Sequence, residues 1–235
     1  MGKPDIIYED NDIIVCYKPA GIATQTRRIG QQDMESFIRN YRAAKNEPPY
    51  VGIVHRLDQP VEGVMVFAKN QKAAASLSRQ IKEHTTEKYY HAASRGHGVS
   101  GADNKEDNHD PAWHTLTDYI SFDKRTNTSK ITSEKDRLAK KAVLQYRILS
   151  NECNKTEFDI KLLTGRHHQI RLQLANIGYP LIGDTKYGKP ASNNSGTGSK
   201  SGRTGGGVRE QLALCSYKLV FDHPATGERM TFELP

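Results

Sequence analysis

The stretch YVGIVHRLDQPVEGVMVFA, residues 50–68, has two apolar segments on either side of a short polar one. The apolar segments, 50–54 and 64–68, are rich in β-branched residues, which predicts two strands. The polar segment HRLDQP ends in Pro60, which is typical of a tight turn. Asp58 then follows a strand end, where a carboxylate can serve as a nucleophile or a general base. Asp before Gln-Pro is also ordinary turn chemistry, so this segment leaves both interpretations open.

Further apolar segments on both sides of this stretch predict more strands. They are residues 13–17, 88–94, 115–122, 142–149 and 158–163, with a terminal hairpin over 212–234. Helical spacing predicts one helix after the cap Asp33, one from the cap Asn70 to about Glu83, and one after the turn at 164–166. Because strands outnumber helices and often adjoin in sequence, we expect a single α+β domain over residues 1–235. Its central sheet should be mixed, mostly antiparallel, and flanked by helices and loops.

The chain is basic, with 34 Lys and Arg against 27 Asp and Glu and a formal charge of +7. This charge is compatible with a polyanionic partner but does not prove one. Five basic residues and no acid lie between Thr185 and Arg209. Within that stretch, residues 192–207 read SNNSGTGSKSGRTGGG and predict a flexible Gly/Ser-rich loop. The loop is either a tolerated surface insertion or a basic segment that settles on phosphates.

Several kinds of protein are disfavoured by the pattern of residues. The three cysteines form no CxxC pair, which argues against a disulfide framework or structural zinc and favours a reducing compartment. The N-terminus carries acids where a signal peptide needs an apolar run, and no run reaches membrane-spanning length. On a helix, His167 and His168 would point about 100° apart and could not chelate a metal together. We therefore expect a cytoplasmic monomer that uses no metal or other cofactor and has no membrane partner.

Five short motifs follow one another along the chain. They are KPAG at 18–21, HRLD at 55–58, EKYY at 87–90, GRHHQIRLQLANIG at 165–178 and YPLIGDTKYG at 179–188. This ordered set, with DHPATGERMTFELP at the C-terminal end, resembles the pseudouridine synthases of the RluA type. The resemblance extends from about Ile6 to Pro235. It implies an enzyme that isomerises specific uridines in structured RNA, ribosomal or transfer RNA, to pseudouridine without a cofactor.

The resemblance also implies roles for residues at the matching motif positions. Asp58 is the catalytic carboxylate, Tyr90 lies against the flipped uracil and can exchange a proton, and Arg171 pairs with Asp58. RNA contacts are implied for six further residues, which are Arg56, His55, Arg166, His168, Lys186 and Lys189. Simpler interpretations remain for two of the three catalytic candidates. Tyr90 suits a half-buried strand aromatic, and Arg171 suits a surface phosphate contact or salt bridge.

Two segments depart from the pattern of the resembled family. Val61-Glu62-Gly63 follows HRLD where related sequences commonly have Thr and Ser before Gly, and Cys215 stands where a His is frequent. The first change removes two hydroxyls and adds a carboxylate beside the turn of Asp58, so the RNA target of any one relative does not carry over. No S4-type RNA-binding module precedes the motifs, so we expect the catalytic domain to bind RNA by itself.

Two other functions are compatible with the same motifs. A non-catalytic RNA-binding or ribosome-assembly protein could use this scaffold, although loss of Asp58, Tyr90 or Arg171 would favour it and all three are present. A nucleic-acid glycosylase would stop after bond cleavage, and free uracil as product would identify it. The sequence does not distinguish ribosomal from transfer RNA, nor one uridine from another.

Overall fold

The computed structural model describes residues 4–26, 28, 30–95, 112–152, 154–188 and 210–235, which form three helices and eleven strands. The helices are α1 (Met34–Ala44), α2 (Gln71–Lys82) and α3 (Gln169–Asn176). The strands are β1 (Asp5–Glu9), β2 (Ile13–Lys18), β3 (Gly52–Ile53), β4 (Glu62–Ala68), β5 (Glu87–Arg95), β6 (His114–Asp123), β7 (Thr128–Thr132), β8 (Lys140–Glu152), β9 (Lys155–Leu162), β10 (Leu214–Asp222) and β11 (Arg229–Glu233). The predicted loop at 192–207 lies outside the described residues. No helix in the described part has the length and apolar character needed to cross a bilayer.

One sheet contains all the strands just named. Nine of them follow the order β1-β2-β4-β10-β5-β9-β8-β6-β7, with β3 beside β4 and β11 beside β10. Strands β4 and β10 run parallel, and the other described pairs are antiparallel. The predicted α+β class with a mixed, mostly antiparallel sheet is therefore confirmed.

The sequence pattern misses β1 and β7, which are the two ends of the strand order. Each has five residues and pairs with one neighbour, so neither needs the apolar run of an inner strand. Strand β3 is shorter than the predicted 50–54, because the His55 ring accepts the hydrogen bond of the next β4 N–H, that of Val66. A side chain thus replaces the backbone partner that a longer strand would supply.

Both predicted helix caps are present. The Asp33 carboxylate accepts the Ser36 N–H at 2.8 Å, and the Ser36 hydroxyl accepts the Asp33 N–H at 3.0 Å, which forms a reciprocal capping box. The Asn70 side chain accepts the Ala73 N–H at 2.9 Å at the start of α2. These caps are local hydrogen bonds, which is why the sequence reveals them.

The two faces of the sheet carry separate hydrophobic cores. Successive residues of β4 point to opposite faces, with Met65 and Phe67 in one core and Val64 and Val66 in the other. The first core receives α1 through Met34 and Ile38 and α3 through Ile170 and Leu174, whereas the second receives α2 through Ala73 and Leu77. Helices α1 and α3 therefore lie on one face of the sheet and α2 on the other.

The first core also brings together the segments that carry the candidate site. Leu57 from the β3–β4 loop, Tyr90 from β5 and Ile170 from α3 belong to the same buried cluster. Strands β4 and β10 approach closely at Gly63, whose φ is +138° and where an added Cβ would lie 2.3 Å from the Ser216 carbonyl oxygen. Only glycine allows this approach, which sets β4 beside β10, whose other neighbour in the strand order is β5 with Tyr90.

Candidate active site

A buried lysine supports the turn that carries Asp58. Lys18 is 0% exposed, and its Nζ donates to the carbonyl oxygens of Pro19, Ile22 and Gln59 at 3.1, 2.7 and 3.2 Å. Burial lowers the pKa of the Lys18 ammonium to about 8. Lys18 thus joins the KPAG segment to the residue that follows Asp58. The sequence pattern assigns Lys18 no role, although it lies in one of the quoted motifs.

Four more hydrogen bonds fix the two neighbours of Asp58. The Thr24 hydroxyl donates to the Leu57 carbonyl oxygen at 3.0 Å and accepts the Leu57 N–H at 3.2 Å. The Gly21 N–H donates to the Gln59 carbonyl oxygen at 2.8 Å, and the Gln59 amide donates back to the Gly21 carbonyl oxygen at 2.9 Å. The Asp58 side chain itself is 31% exposed. Its backbone is therefore held while its carboxylate stays open to a substrate.

Arg171, on the first turn of α3, is one of two side chains that face Asp58 with a nitrogen atom. Its Nη1 lies 3.5 Å from Asp58 Oδ2, which is the outer limit of a hydrogen bond. Its Nε and Nη2 donate to Oδ2 and Oδ1 of Asp184 at 2.8 Å each. The main partner of Arg171 is therefore Asp184, and the predicted pairing with Asp58 exists only as the longer contact. The two carboxylate oxygens of Asp184 match the fork of the guanidinium, which a single distant oxygen cannot.

Asp184 is itself held by the motif that contains it. Its Oδ1 also accepts the N–H groups of Lys186 and Tyr187 at 2.8 and 3.1 Å. Burial alone raises the pKa of the Asp184 carboxyl, but Arg171 and these N–H groups bring that pKa below its ordinary value. The motif YPLIGDTKYG thus provides a buried carboxylate, held by its own backbone, that binds the Arg171 guanidinium. Asp184 is the only acidic residue of this motif, and this was the sequence signal that could have identified it as the partner of Arg171.

His168 also faces Asp58. His167 and His168 precede α3 instead of lying on it, so the predicted separation of about 100° is wrong. His168 has a left-handed backbone (φ 55°, ψ 25°), and the two rings stack with centroids 3.7 Å apart. Its Nε2 lies 3.5 Å from Asp58 Oδ2. Burial, reinforced by Arg171, lowers the pKa of His168 to about 3, so the ring is neutral at physiological pH.

Tyr90 lies on the β5 side of the same site. Its side chain is buried, at 6% exposure, and the side chain of Ser216 lies near its hydroxyl. Burial, with a contribution from the charge of Asp58, raises the pKa of Tyr90 to about 12. The hydroxyl therefore stays protonated at neutral pH. The structure thus brings Asp58, Arg171 and Tyr90 to one place, as the motifs predicted.

A family model described as RNA pseudouridylate synthase matches residues 12–176. The chain belongs to this family. The matched range includes Asp58, Tyr90 and Arg171, although the match itself assigns no role to them.

Curated proteins similar to this family member are pseudouridine synthases. The ribosomal large subunit pseudouridine synthase D of Neisseria meningitidis serogroup B is 31% identical over 98% of this chain and 58% of its own length. The protein of the same name from Vibrio cholerae is 32% identical over 98% of this chain and 67% of its own length. An uncharacterized RNA pseudouridine synthase of Bacillus subtilis is 31% identical over 100% of this chain and 69% of its own length. The chain thus spans between 58% and 69% of the length of these relatives.

Two solved human structures have the same fold as this family member. RNA pseudouridylate synthase domain containing 4 gives a TM-score of 0.69 at 19% identity, over 98% of this chain and 88% of that one. RNA pseudouridylate synthase domain containing 1 gives a TM-score of 0.69 at 24% identity, over 99% of this chain and 83% of that one. These similarities confirm the pseudouridylate synthase fold.

The predicted RNA contacts of this family member fall into different environments. The His55 Nε2 accepts the Val66 N–H at 3.1 Å, and burial together with nearby Lys88 lowers the pKa of His55 to about 3. That ring supports the loop of Asp58 instead of presenting a charge to RNA. His168 faces Asp58, as described above. Arg56 is exposed next to the same loop.

The other three predicted RNA contacts lie farther along the chain. The Arg166 Nε donates to the Lys141 carbonyl oxygen at 2.9 Å, and the Lys186 Nζ donates to the Asn127 carbonyl oxygen at 2.6 Å, both at the surface. Lys189 lies outside the described residues. The structure therefore leaves Arg166 and Lys186 as surface cations near α3.

An open cleft of about 430 Å³ lies beside the Asp58 loop of this family member. Its walls include apolar Val51 and Ile53 and polar Gln25 and Glu35, and Arg56 lies among the lining residues. The Gln25 amide donates to the Glu35 carboxylate at 2.7 Å across this lining. The cleft is large enough for a nucleobase and continuous with the loop that carries Asp58.

One group of possible metal ligands occurs among the described residues, namely Asp10, Asp12 and His223. The His223 Nε2 lies 2.8 Å from Asp10 Oδ2, and its Nδ1 accepts the Thr226 N–H at 3.1 Å. Asp10 Oδ1 accepts the N–H groups of Asp12 and Ile13 at 2.7 and 2.8 Å. These hydrogen bonds join the β1–β2 turn to the β10–β11 turn.

The two departures from the family pattern meet in the tertiary structure. Glu62 and Cys215 are directly paired across the parallel strands β4 and β10. The Glu62 carboxylate accepts the Tyr17 hydroxyl at 2.8 Å and the Gln211 amide at 3.2 Å. Burial, with the charge of Glu62, raises the pKa of the Cys215 thiol to about 12. The Glu62 side chain therefore has its hydrogen-bond partners in β2, at Tyr17, and in the segment before β10, at Gln211.

Proposed function

We propose that this protein isomerises uridine in RNA to pseudouridine, with Asp58 as the catalytic carboxylate. The observation that supports this most directly is the convergence of Arg171 and His168 on Asp58, next to the buried Tyr90, in a chain of this family. The reaction breaks the bond from ribose C1′ to uracil N1 and forms one from C1′ to C5. The hydrogen on C5 leaves as a proton and N1 gains one, so the balance requires no oxidant, reductant or cofactor.

The surroundings of Asp58 suit a carboxylate that acts directly on the nucleoside. A positioned carboxylate can attack as a nucleophile or stabilise an electron-poor sugar, as in glycosidic chemistry. The Arg171 and His168 nitrogens near Asp58 Oδ2 set the direction of the carboxylate. The fixed backbone on both sides of Asp58 keeps the reacting oxygen in place without closing the site to substrate.

Tyr90 provides a rigid wall for the base in this proposal. Its ring is buried in the core cluster that also contains Leu57, so the ring cannot swing away when a substrate enters. The raised pKa of Tyr90 keeps its proton available at neutral pH. The ring then lies against the uracil and its hydroxyl can take part in proton transfer.

The substrate class follows from charge and from the relatives. The net charge of +7 suits a polyanion, and phosphate contacts supply most non-specific affinity for nucleic acids. The similar curated proteins from Neisseria and Vibrio are named for the large ribosomal subunit. We therefore propose a uridine of large-subunit ribosomal RNA as the substrate, modified in the cytoplasm by a monomer.

The reacting base must leave its stack to reach Asp58. Extruding a nucleotide costs a few kcal/mol and costs least in loops and bulges. The exposed Arg56 lies in the loop of Asp58, and the cleft of about 430 Å³ lies beside that loop. Arg56 can therefore reach the position in the RNA stack that the extruded base has left, and the cleft can receive a neighbouring base. We propose that the modified uridine lies in a loop, bulge or junction and that Arg56 occupies part of the vacated space.

The test is release of hydrogen from RNA that is tritiated at C5 of uridine. Wild-type protein should release tritium from ribosomal RNA, whereas Asp58→Asn should release at least about 1,000-fold less while keeping its fold and its RNA affinity. Asn has the shape of Asp without the charge, so loss of turnover isolates the carboxylate. Asp5→Asn, at an exposed position of β1, is the matched control and should behave like wild type.

Other outcomes of the same assay identify the alternative functions. RNA binding without tritium release by the wild type would support a non-catalytic RNA-binding or ribosome-assembly protein. Free uracil as product would identify a glycosylase. Full activity of Asp58→Asn would remove Asp58 from the mechanism.

A further inference from the structure

His168 lies between Tyr187 and Asp58, with one ring nitrogen directed at each. Its Nδ1 is 2.9 Å from the Tyr187 hydroxyl oxygen, and its Nε2 is 3.5 Å from Asp58 Oδ2. The Tyr187 hydroxyl oxygen also accepts the Ser129 N–H at 2.9 Å. A chain of contacts therefore runs from the backbone of β7 through Tyr187 and His168 to Asp58.

The hydrogen bond from Ser129 to Tyr187 favours one position for the proton of the His168 ring. Among the described residues, the Tyr187 hydroxyl has only Ser129 and His168 as hydrogen-bond partners. Since the Ser129 N–H donates to the Tyr187 oxygen, the arrangement that also gives the Tyr187 proton an acceptor directs it to His168 Nδ1. A neutral imidazole that accepts at Nδ1 carries its proton on Nε2. The opposite tautomer would leave a lone pair of Nε2 facing the carboxylate of Asp58.

Both donors that reach Asp58 within the described part of the chain approach the same oxygen. Arg171 Nη1 and His168 Nε2 each lie 3.5 Å from Oδ2. Oδ1 is therefore the oxygen left for the nucleoside. Catalytic hydrogen bonds are often long in a free enzyme and tighten in the complex with substrate. Shortening both contacts would hold Oδ2 and turn Oδ1 toward the substrate.

The backbone of His168 is adapted to this placement. Its φ of 55° lies in the left-handed region, which residues other than glycine adopt uncommonly. Strain of this kind persists only when surrounding contacts enforce it. Here the stack on His167, at 3.7 Å between centroids, and the bond to Tyr187 hold the ring.

We propose that His168 is a positioning residue for Asp58, whose Nε2–H, directed by Tyr187, holds Oδ2 so that Oδ1 meets the uridine. This inference rests on the proposed function. Because burial and Arg171 lower the pKa of His168 to about 3, the ring donates this hydrogen bond without adding a second positive charge beside Arg171. His168 then differs from an RNA contact, since its effect should fall on turnover and not on affinity.

A matched pair of substitutions separates this role from a structural one. Gln can place an N–H near the former Nε2, whereas the shorter Asn reaches only the former Nδ1. Asn, however, tolerates a left-handed backbone better than Gln does. If the role of His168 is purely structural, the His168→Asn variant should therefore be the more active of the two. If His168 positions Asp58, the His168→Gln variant should be the more active.

The measurement is the single-turnover rate of tritium release, with RNA affinity and melting temperature recorded for each variant. We expect His168→Gln to stay within about 10-fold of wild type and His168→Asn to lose a further 10-fold or more. RNA affinity should stay within about 3-fold for both. Equal rates, a faster Asn variant, or a loss of affinity that accounts for the loss of rate would overturn the proposal.

A second measurement does not depend on activity. Nitrogen-15 NMR of histidine-labelled wild-type protein near pH 7 should show His168 neutral, with its proton on Nε2. Protonation at Nδ1, or at both nitrogens, would overturn the proposal even if the enzyme turned over normally. If the wild type releases no tritium, the proposed function fails, whereas the spectrum still decides the tautomer that Tyr187 imposes.

Discussion

Arg171 and Asp184 form a bidentate ion pair with two N–O distances of 2.8 Å, and the two side chains are 5% and 0% exposed. This pair fixes the guanidinium so that its remaining nitrogen, Nη1, faces Asp58 at 3.5 Å. The catalytic candidate therefore receives an arginine that is already oriented and partly neutralised by another acid. Because Arg171 contacts only Oδ2 of Asp58, Oδ1 stays available for the substrate.

Asp184→Asn should be strongly destabilising and nearly inactive. The change leaves the Arg171 charge buried without its carboxylate, and breaking a buried pair costs about 3–5 kcal/mol. Denaturant unfolding should show this loss, and tritium release by the folded fraction should fall at least about 10-fold. The control is Asp222→Asn, whose ion pair with Arg229 is 42% and 40% exposed and should cost less than about 1 kcal/mol. Equal losses in the two variants would contradict this account of Asp184.

Tyr90→Phe should lower turnover far more than RNA affinity. The change removes a buried hydroxyl that holds its proton at neutral pH, but it keeps the ring. We expect a single-turnover rate about 100-fold below wild type, within the usual range for loss of one proton-transfer group. Tyr119→Phe, which removes a surface hydroxyl bonded to Glu134, should leave both quantities unchanged. An unchanged rate in Tyr90→Phe would leave Tyr90 as a stacking ring only.

The stability of the fold should depend on pH through His55. The folded pKa of His55 is lowered from 6.5 to about 3, so the unfolded chain binds the proton more readily between these values. The free energy of unfolding therefore falls as pH drops below about 6.5, by at most about 1.4 kcal/mol per pH unit for one such group. His168 adds a contribution of the same sign, since its pKa is also lowered to about 3.

The measurement compares denaturant unfolding at pH 7.5 and pH 5.5. His55→Gln should show a smaller drop than wild type, because Gln can accept the Val66 N–H without titrating. His84→Asn is the control: His84 is exposed at a left-handed position that Asn tolerates, so its drop should equal that of wild type. A drop in His55→Gln as large as in wild type would show that His55 is not a source of the pH dependence.

Activity should require a uridine presented outside a continuous duplex. We expect a short stem-loop substrate to react at least about 10-fold faster than the same sequence locked in a duplex, because unpairing costs a few kcal/mol. Arg56→Ala should lower the rate on the stem-loop about 10-fold. Arg79→Ala is the control, since α2 packs on the opposite face of the sheet from the Asp58 loop. Equal rates on the two RNAs would contradict the proposal that the uridine must lie outside a duplex, whether or not Asp58 is the catalytic carboxylate.

Several features of this protein are determined by sequence alone because their causes are local. The caps at Asp33 and Asn70 depend on partners three residues away. The turn of Asp58 follows from the change between apolar and polar residues on either side of Pro60. The inner strands follow from their apolar runs. That Asp58, Tyr90 and Arg171 share one site was implied by the family resemblance that the motifs carry, and not by a local cause.

Other features are decided only by the tertiary structure because their partners are far apart in sequence. Arg171 and Asp58 are 113 positions apart, and no pattern shows that the nearer Asp184 provides the stronger partner. The left-handed backbone of His168 turns it toward Asp58, although helical periodicity would place it elsewhere. The pairing of Glu62 with Cys215 depends on a parallel contact between β4 and β10. Sequence periodicity indicates which side of a helix or strand is buried. Which buried side chains contact one another depends on how the helices and strands pack, because the partners are far apart in sequence.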